Sequence, residues 1–280
     1  MPRPHPILLA LLLVAQPVVA NEIELSGEPV QGGLIFGQVP PGTEVRLDLQ
    51  QILVSEDGRF VIGFGRDETG FRQLSLRYPD DNRTEARTLE VVPREYDIEH
   101  IDGLPPRTVT PDPAAAKRIR EENRMVASAK ARRDNRADYA QGFAWPATGR
   151  ISGVYGSQRI LNGEPRNPHF GVDVAAQTGT LVTAPAPGIV TLTHPDMYFS
   201  GGTIILDHGQ GLSSSFLHLS EILVEAGQRV DTGDPIGRIG ATGRATGPHL
   251  DWRMSWLDRR VDPQRLVPAR QAEPTGGSGN

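Results

Sequence analysis

The sequence predicts a mainly β protein: a small N-terminal β-sandwich, a linker helix and a C-terminal antiparallel β domain. Three observations predict it. Short alternating apolar runs come first, a stretch of 28 residues without proline or glycine follows, and short β-branched runs rich in glycine and proline begin at Gly142. With 280 residues, the chain is long enough for two modest domains and a connector. The predicted segments are 1–20, 21–101, 102–141, 142–268 and 269–280.

The first segment, residues 1–20, has the composition of a secretory signal. Arg3 supplies a positive charge, residues 7–15 are apolar, and Val18 and Ala20 are the small residues expected before a cleavage point. The run is too short for a stable membrane span, although a short membrane anchor is the alternative. We therefore expect an exported protein, in the periplasm of a bacterium, with no membrane span once the signal is removed. Since the chain has no cysteine, it has neither disulfides nor a lipoprotein-type lipid site.

Residues 21–101 show turn signals about every ten residues, typical of a small β-sandwich. In the stretch "TEVRLDL" the alternation predicts that Val45, Leu47 and Leu49 share one face of a strand. Nothing in this segment indicates catalysis, and a structural spacer is the default interpretation. A carbohydrate-binding sandwich is the alternative, but no aromatic platform supports it.

Residues 102–141 begin with a proline-rich connector and continue with helix-forming residues. Ile119, Met125 and Val126 are the few apolar side chains there, so we predict a mostly solvated linker helix. Its basic residues could instead contact an anionic surface. The formal charge of −5 gives no general electrostatic argument for nucleic-acid binding.

Residues 142–268 read as many short antiparallel strands joined by tight turns, and residues 269–280 as a flexible tail. No phosphate-cradling glycine motif opens a helix and no G-x-S-x-G elbow occurs, so nucleotide binding and serine hydrolysis have no support. The stretch "GQRVDTGDPIGRIG" has the turn rhythm of biotinyl and lipoyl domains. Because no lysine follows Lys130, covalent cofactor carriage is excluded for this domain.

Histidines and aspartates cluster in this domain. His169 stands four residues before Asp173 in "HFGVD", a separation of roughly 13 Å on a straight strand, too far to share an ion. Gly171 between them permits a bend that would bring the two side chains together. One imidazole and one carboxylate are acceptable zinc ligands.

A second pair, His249 and Asp251, has the spacing that puts both side chains on one face of a strand. Leu250 and Trp252 would then face a core. The sequence thus offers two polar groups directed to one place and two apolar groups directed to packing.

A further histidine, His218, lies in "SSFLHLS". If this stretch is a regular strand, alternation predicts that His218 shares a face with Phe216 and Ser220. Each histidine alone is most simply a surface or core residue. Together the three motifs favour a shared zinc site. The remaining mature histidines, His100, His194 and His208, are not predicted as ligands.

The motifs "HFGVD", "FLHLS" and "GATGRATGPHLDW", in this order, resemble the signatures of the lysostaphin/LytM-type zinc metallopeptidases, over roughly residues 143–265. The resemblance implies a peptidoglycan endopeptidase domain that cleaves cross-links or bridges and uses a zinc-activated water. It implies that His169 and Asp173 bind zinc and that His218 and His249 are catalytic. The family has a histidine as third ligand, and this chain has Asp251 there.

Asp251 is compatible with zinc, since carboxylate oxygen binds the ion at nearly the same distance as imidazole nitrogen. The extra negative ligand should weaken the pull on water and slow the chemistry. Arg253, on the same strand face, could instead pair with Asp251 and withdraw it from the metal. The predicted function is therefore a zinc metallopeptidase acting on peptidoglycan. The alternative is an impaired LytM-like protein that binds or activates other cell-wall hydrolases.

Overall fold

The computed structural model describes residues 23–80, 83–101, 115–161 and 163–270. The predicted signal, the connector up to residue 113 and residues 271–280 of the predicted tail lie outside the described residues. The mainly β prediction is confirmed: the described chain is built largely from antiparallel strand pairs, with one α-helix. No helix in this part of the chain has the length and apolarity needed to span a membrane.

The N-terminal strands form two small sheets. One has the order β1-β2-β5 and the other the order β4-β3-β6-β7. Phe60, Val61, Ile62 and Leu74 are fully buried and belong to the hydrophobic core. The strands are β1 (Glu24–Gly27), β2 (Leu34–Gln38), β3 (Glu44–Leu47), β4 (Gln50–Ile52), β5 (Arg59–Gly63), β6 (Gly70–Arg77) and β7 (Thr84–Val91).

One side-chain prediction in this region is wrong. Val45 and Leu47 are buried as expected, but Leu49 is 95% exposed. Strand β3 ends at Leu47, and Asp48 has a left-handed backbone with φ of 52°. Aspartate tolerates that conformation in tight turns, and the turn carries Leu49 out of the strand pleat.

The segment between the predicted domains is partly structured. Strand β8 (Ile98–Ile101) pairs in parallel with β10 (Gln158–Leu161), which pairs with β11 (Glu164–Pro165). Residues near the predicted end of the sandwich therefore contribute to a sheet with the C-terminal segment, and the boundary at residue 101 stays a prediction. The region 156–168 contains this short hairpin.

The linker helix, α1, spans Ala116–Lys130 and is shorter than the helix-forming stretch of the sequence. It packs against two strands of the large sheet described below, β14 (Gly188–Met197) and β15 (Gly201–Asp207). Its one buried residue is Glu122, whose Oε2 accepts a hydrogen bond of 2.9 Å from the backbone N–H of Tyr198. Most of the helix surface is solvated, while this one face covers part of the sheet.

The C-terminal segment is organised on a ten-stranded sheet with the main order β17-β14-β15-β16-β19-β12-β9. Its core contains Phe216, Trp252 and Trp256, all nearly inaccessible to solvent. A 3-10 helix (Pro263–Leu266) follows the last strand, and another (Asp138–Gln141) precedes the first. The remaining strands are β9 (Arg150–Gly153), β12 (Gly171–Ala175), β13 (Leu181–Thr183), β16 (Leu212–Ile222), β17 (Arg229–Val230), β18 (Pro235–Ile239), β19 (His249–Trp256) and β20 (Arg259–Val261).

Candidate metal centre

Two adjacent strands position the carboxylates of the site. Strands β12 and β19 are antiparallel, and Asp173 lies directly opposite Asp251 in their register. Directly opposed residues project on the same face of a sheet, so the two carboxylates are neighbours. Leu250 and Trp252, which alternate with Asp251, are fully buried on the other face, as the sequence pattern predicted.

His169 lies two residues before β12 begins, outside the straight strand. Its backbone N–H donates to the carbonyl of Ser157 at 2.8 Å. Its Nε2 lies 3.1 Å from Asp173 Oδ1 and 3.6 Å from Asp251 Oδ1. The expected approach of His169 and Asp173 is therefore present, because the chain turns before the strand starts.

The three residues His169, Asp173 and Asp251 offer ligand atoms that all lie within 4.8 Å of one another. Donor atoms at the corners of a tetrahedral zinc site with bonds of about 2 Å are roughly 3.3 Å apart. The distances from His169 Nε2 to Asp173 Oδ1 and to Asp251 Oδ1, 3.1 Å and 3.6 Å, lie on either side of that value. One imidazole and two carboxylates would also balance the charge of a divalent cation.

Buried polar atoms without a full set of partners also indicate that these residues could hold a cation. His169 Nε2 and Asp173 Oδ1 are buried, and apart from their own approach to 3.1 Å neither has a hydrogen-bond partner among the described residues. His169 Nδ1 lies 3.2 Å from the carbonyl oxygen of Val154, which assigns the proton of a neutral ring to Nδ1 and the lone pair to Nε2. Buried lone pairs without a donor are costly, and a shared cation would satisfy both of these.

Two glycines make room for the carboxylates. A Cβ on Gly153 would lie 2.3 Å from Asp173 Oδ2, and a Cβ on Gly171 would lie 2.6 Å from Asp251 Oδ1. The chain therefore leaves space for both carboxylate groups where any side chain would displace them. The sequence predicted that Gly171 permits a bend between His169 and Asp173. In the structure, the absence of a side chain at Gly171 instead allows the carboxylate of Asp251 to lie close to the backbone.

Two further histidines lie beside the cluster. His249 Nε2 is 3.9 Å from Asp173 Oδ1, and the His218 and His249 ring centres are 4.7 Å apart. Each Nδ1 lies 2.8 Å from a backbone carbonyl oxygen, that of Thr242 for His218 and that of Gly247 for His249. In a neutral ring, Nδ1 therefore holds the proton and Nε2 can accept one.

The backbone at His218 differs from the sequence prediction. His218 has a φ of 65°, and the pairing of β15 with β16 shifts register between Gly202 and Ile204. This irregularity breaks the alternation, so that Phe216 and Leu219, three residues apart, both enter the core. The expected common face for Phe216, His218 and Ser220 is wrong for this physical reason. A left-handed histidine is uncommon and often marks a functional position.

Arg253 pairs with Asp251. Its Nε lies 3.0 Å from each carboxylate oxygen, and its Nη2 donates to Oδ2 at 2.5 Å. Asp251 nevertheless stays in the cluster, with Oδ1 facing His169. The pair that the sequence suggested is thus present, and it does not remove Asp251 from the candidate ligand set.

The charges of the site are strongly coupled. Burial acts to raise the pKa of Asp251, but Arg253 and His169 hold that pKa well below its usual range. Burial acts to lower the pKa of His169, while Asp173 and Asp251 raise it to about 10. Burial lowers the pKa of His218, which favours its neutral form. A cation bound to the two carboxylates would replace the proton that they hold on His169.

The other histidines lie outside the cluster. His208 is fully buried, with Nδ1 2.7 Å from the carbonyl of Pro187 and Nε2 2.8 Å from Ser214 Oγ. His194 Nδ1 accepts the backbone N–H of Asp196 at 3.1 Å, and His100 is exposed on β8. The sequence did not predict that Gly153 leaves room for the carboxylate of Asp173, or that the backbone carbonyl of Thr242 contacts His218 Nδ1.

Comparison with known proteins identifies the family. The model of peptidase family M23 matches residues 167–263. A solved putative peptidase M23 from Pseudomonas aeruginosa is 32% identical, with a TM-score of 0.64 over 85% of this chain and 94% of that one.

Curated relatives match part of the chain. The peptidoglycan DD-endopeptidase ShyA of Vibrio cholerae is 38% identical over 129 residues, which are 45% of this chain and 29% of that protein. A lipoprotein NlpD/LppB homolog of Pseudomonas aeruginosa is 31% identical over 129 residues, 46% of this chain and 41% of that protein. The chain thus matches less than half the length of these two relatives. Through the agreement with the solved Pseudomonas structure over nearly its whole length, the chain is a member of peptidase family M23.

Proposed function

We propose that this protein is a zinc metallopeptidase that hydrolyses peptide bonds in peptidoglycan cross-links. The observation that carries the proposal is the convergence of His169, Asp173 and Asp251, with two buried ligand atoms left unpartnered. The similarity of the segment to a peptidoglycan DD-endopeptidase supports the substrate class. Peptidoglycan as substrate and the composition of residues 1–20 both fit export to a bacterial periplasm.

The proposed roles follow from the contacts. His169, Asp173 and Asp251 would hold the ion, which when bound supplies a Lewis acid and an activated water. His218 and His249 would accept and donate protons at Nε2, because each Nδ1 is engaged by a backbone carbonyl. Those carbonyl contacts also orient the rings, so the two nitrogens are directed without further rearrangement.

Asp251 would tune the reaction. A third ligand that is negative donates more charge to the ion than a neutral histidine, and Arg253 withdraws part of that charge through its hydrogen bonds. We expect slower turnover than with a histidine ligand, and wider acceptance of divalent metals, because the site is rich in oxygen.

The test uses residues 21–280 with added zinc and purified peptidoglycan, with released fragments identified by mass spectrometry. The native protein should release cleaved cross-links, and His169→Ala should release none. His194→Ala is the matched control, because that histidine lies outside the cluster. Cleavage by the His169→Ala variant would refute the proposed ligand set.

A second candidate function has one observation in its favour. Asp251 is hydrogen-bonded by Arg253 as well as facing the cluster, and an arginine this close opposes a cation. If the native protein is inactive and Asp251→His cleaves peptidoglycan, the protein is an impaired LytM-like protein that binds or activates other cell-wall hydrolases.

A further inference from the structure

Positive side chains collect beside the candidate metal centre, on the same face of the large sheet. Lys130, the last residue of α1, donates from Nζ to Ser255 Oγ at 3.2 Å. Arg260 Nη1 donates to that same oxygen at 2.8 Å. Two cations thus share one hydroxyl group, and Arg253 lies two residues from it on β19.

Strand register places two more hydroxyls in this group. Ser213 lies opposite Ser255, and Ser215 lies opposite Arg253, in the pairing of β16 with β19. Arg260 lies opposite Ser255 in the pairing of β19 with β20. Opposed residues share a face with Cβ atoms about 5 Å apart. We call the group the serine–cation patch: Lys130, Ser213, Ser215, Arg253, Ser255 and Arg260.

The patch has more hydrogen-bond donors than acceptors. Ser213 and Ser215 are 3% and 5% exposed, and their Oγ atoms have no partner among the described residues. Ser255 Oγ already accepts from two cations, which occupy both of its lone pairs, so its own proton remains free to donate. Converging donors that outnumber the acceptors beside them are what a bound oxyanion requires.

The positive charge is also uncompensated. Arg253 is paired with Asp251, but neither Lys130 nor Arg260 has a carboxylate within 4.0 Å in the part of the chain that the structure describes. Burial and the charges of Arg260 and Arg253 push the pKa of Lys130 well below its ordinary value, so an anion bound beside it would favour its charged form. Lys130, Arg253 and Arg260 keep partial solvent exposure, whereas Ser213, Ser215 and Ser255 are buried, so a ligand would reach the patch at its basic side chains.

The patch continues the line of the candidate metal centre along β19. A two-residue step on a strand is roughly 6.7 Å, so Arg253 and Ser255 lie one and two steps from Asp251, up to about 13 Å away. An extended peptide covers that distance in roughly two to four residues. We propose that the serine–cation patch is a substrate subsite that binds a carboxylate of the peptidoglycan stem peptide, roughly two to four residues from the scissile bond. This inference rests on the proposed peptidase function.

The test measures binding without cleavage. The full mature chain carrying His169→Ala is titrated by calorimetry with a soluble cross-linked stem peptide, either with free carboxylates or with all of them amidated. Amidation should weaken binding about tenfold, the scale of a charge-assisted hydrogen bond. Adding Arg260→Gln should weaken binding of the free-acid peptide about tenfold and abolish discrimination between the two peptides.

Two further variants complete the design. Lys130→Gln should likewise weaken binding of the free-acid peptide and abolish discrimination between the two peptides. This second variant keeps the test valid if Arg260→Gln lowers the melting temperature. Arg238→Gln is the matched control and should change nothing, because that arginine lies on β18, outside the patch, and is already paired with Glu221.

Equal binding of the two peptides, or no binding of either, would overturn the subsite. Inorganic phosphate that binds and requires Arg260, while amidation has no effect, would also overturn it, because the patch would then hold a free oxyanion. Cleavage by the native protein is assayed separately. Discrimination without cleavage would refute the peptidase and leave the subsite standing.

Discussion

Arg253 donates to both carboxylate oxygens of Asp251 from two residues along the same strand, with its shortest contact, from Nη2 to Oδ2, at 2.5 Å. The same carboxylate lies 3.6 Å from His169 Nε2. Asp251 is thus shared between a fixed positive charge and a candidate metal centre. The affinity of the site for a metal ion therefore depends on how strongly Arg253 competes with the ion for the carboxylate of Asp251.

Removing the arginine should strengthen metal binding. Arg253→Gln removes a positive charge in direct contact with a proposed ligand, a repulsion of roughly 1–3 kcal/mol at an effective dielectric near 20. We therefore expect zinc affinity, measured by competition with a chelator, to rise about tenfold or more. The control is Arg238→Gln, which should leave affinity unchanged. A weaker site in Arg253→Gln would mean that the arginine instead holds Asp251 in its binding position.

Filling the space beneath Asp251 should disturb the fold and the site together. A Cβ at residue 171 would lie 2.6 Å from Asp251 Oδ1 and from the backbone oxygen of Trp252. Because backbone cannot easily yield, Gly171→Ala should cost about 1–3 kcal/mol in the free energy of unfolding and lower zinc affinity. Gly247→Ala is the matched control, since a Cβ there meets nothing within 4 Å. Equal melting temperatures for the two variants would contradict the close-approach argument.

Replacing His218 should separate catalysis from metal binding. His218→Asn keeps a residue that tolerates the left-handed backbone, whose φ is 65°. It removes the imidazole, so peptidoglycan turnover should fall by about 10²–10⁴-fold while zinc affinity changes little. Turnover is followed by fragment release and affinity by chelator competition. An unchanged rate would remove His218 from the proposed mechanism.

Stability should depend on pH through His208. Burial lowers the pKa of His208 to about 4, from its ordinary 6.5. A depressed folded-state pKa means that the unfolded chain binds the proton first. The contribution of His208 is therefore fully present above pH 6.5 and is lost as the pH falls toward 4, by about 3 kcal/mol. The free energy of unfolding of His208→Gln should lack this decline between pH 6.5 and 4, whatever its value at neutral pH.

Asp207, the residue before His208, should change the pH dependence of stability in the opposite direction. Burial raises the pKa of Asp207 to about 6, from 3.8, although Arg136 pairs with it. Because the folded state holds this proton more tightly, Asp207 favours folding at low pH, and that contribution is lost as the pH rises through 6. Asp207→Asn should therefore lose stability more steeply than the native protein as the pH falls from 6 to 4. A parallel pH dependence of the two proteins would contradict the assignment.

Local pattern was sufficient for much of the architecture. The positions of Leu250 and Trp252 in the core follow from period-two alternation, because β19 is regular where they lie. The same reasoning failed at Leu49 and around His218. In both places a left-handed residue, Asp48 or His218 itself, changes the pleat, and alternation carries no information about that backbone state.

The mainly β class, the spacing of the His-x-Gly-x-Asp and His-x-Asp motifs and the aspartate at residue 251 all follow from the residues alone. That Asp173 and Asp251 face each other follows from the fold, because strand register joins residues 78 positions apart. The fold also decides that Arg253 contacts Asp251 without removing it from the cluster, and that Lys130 reaches Ser255 from the linker helix. These relationships depend on how strands pair and a helix packs, and the distances that result are properties of the whole fold.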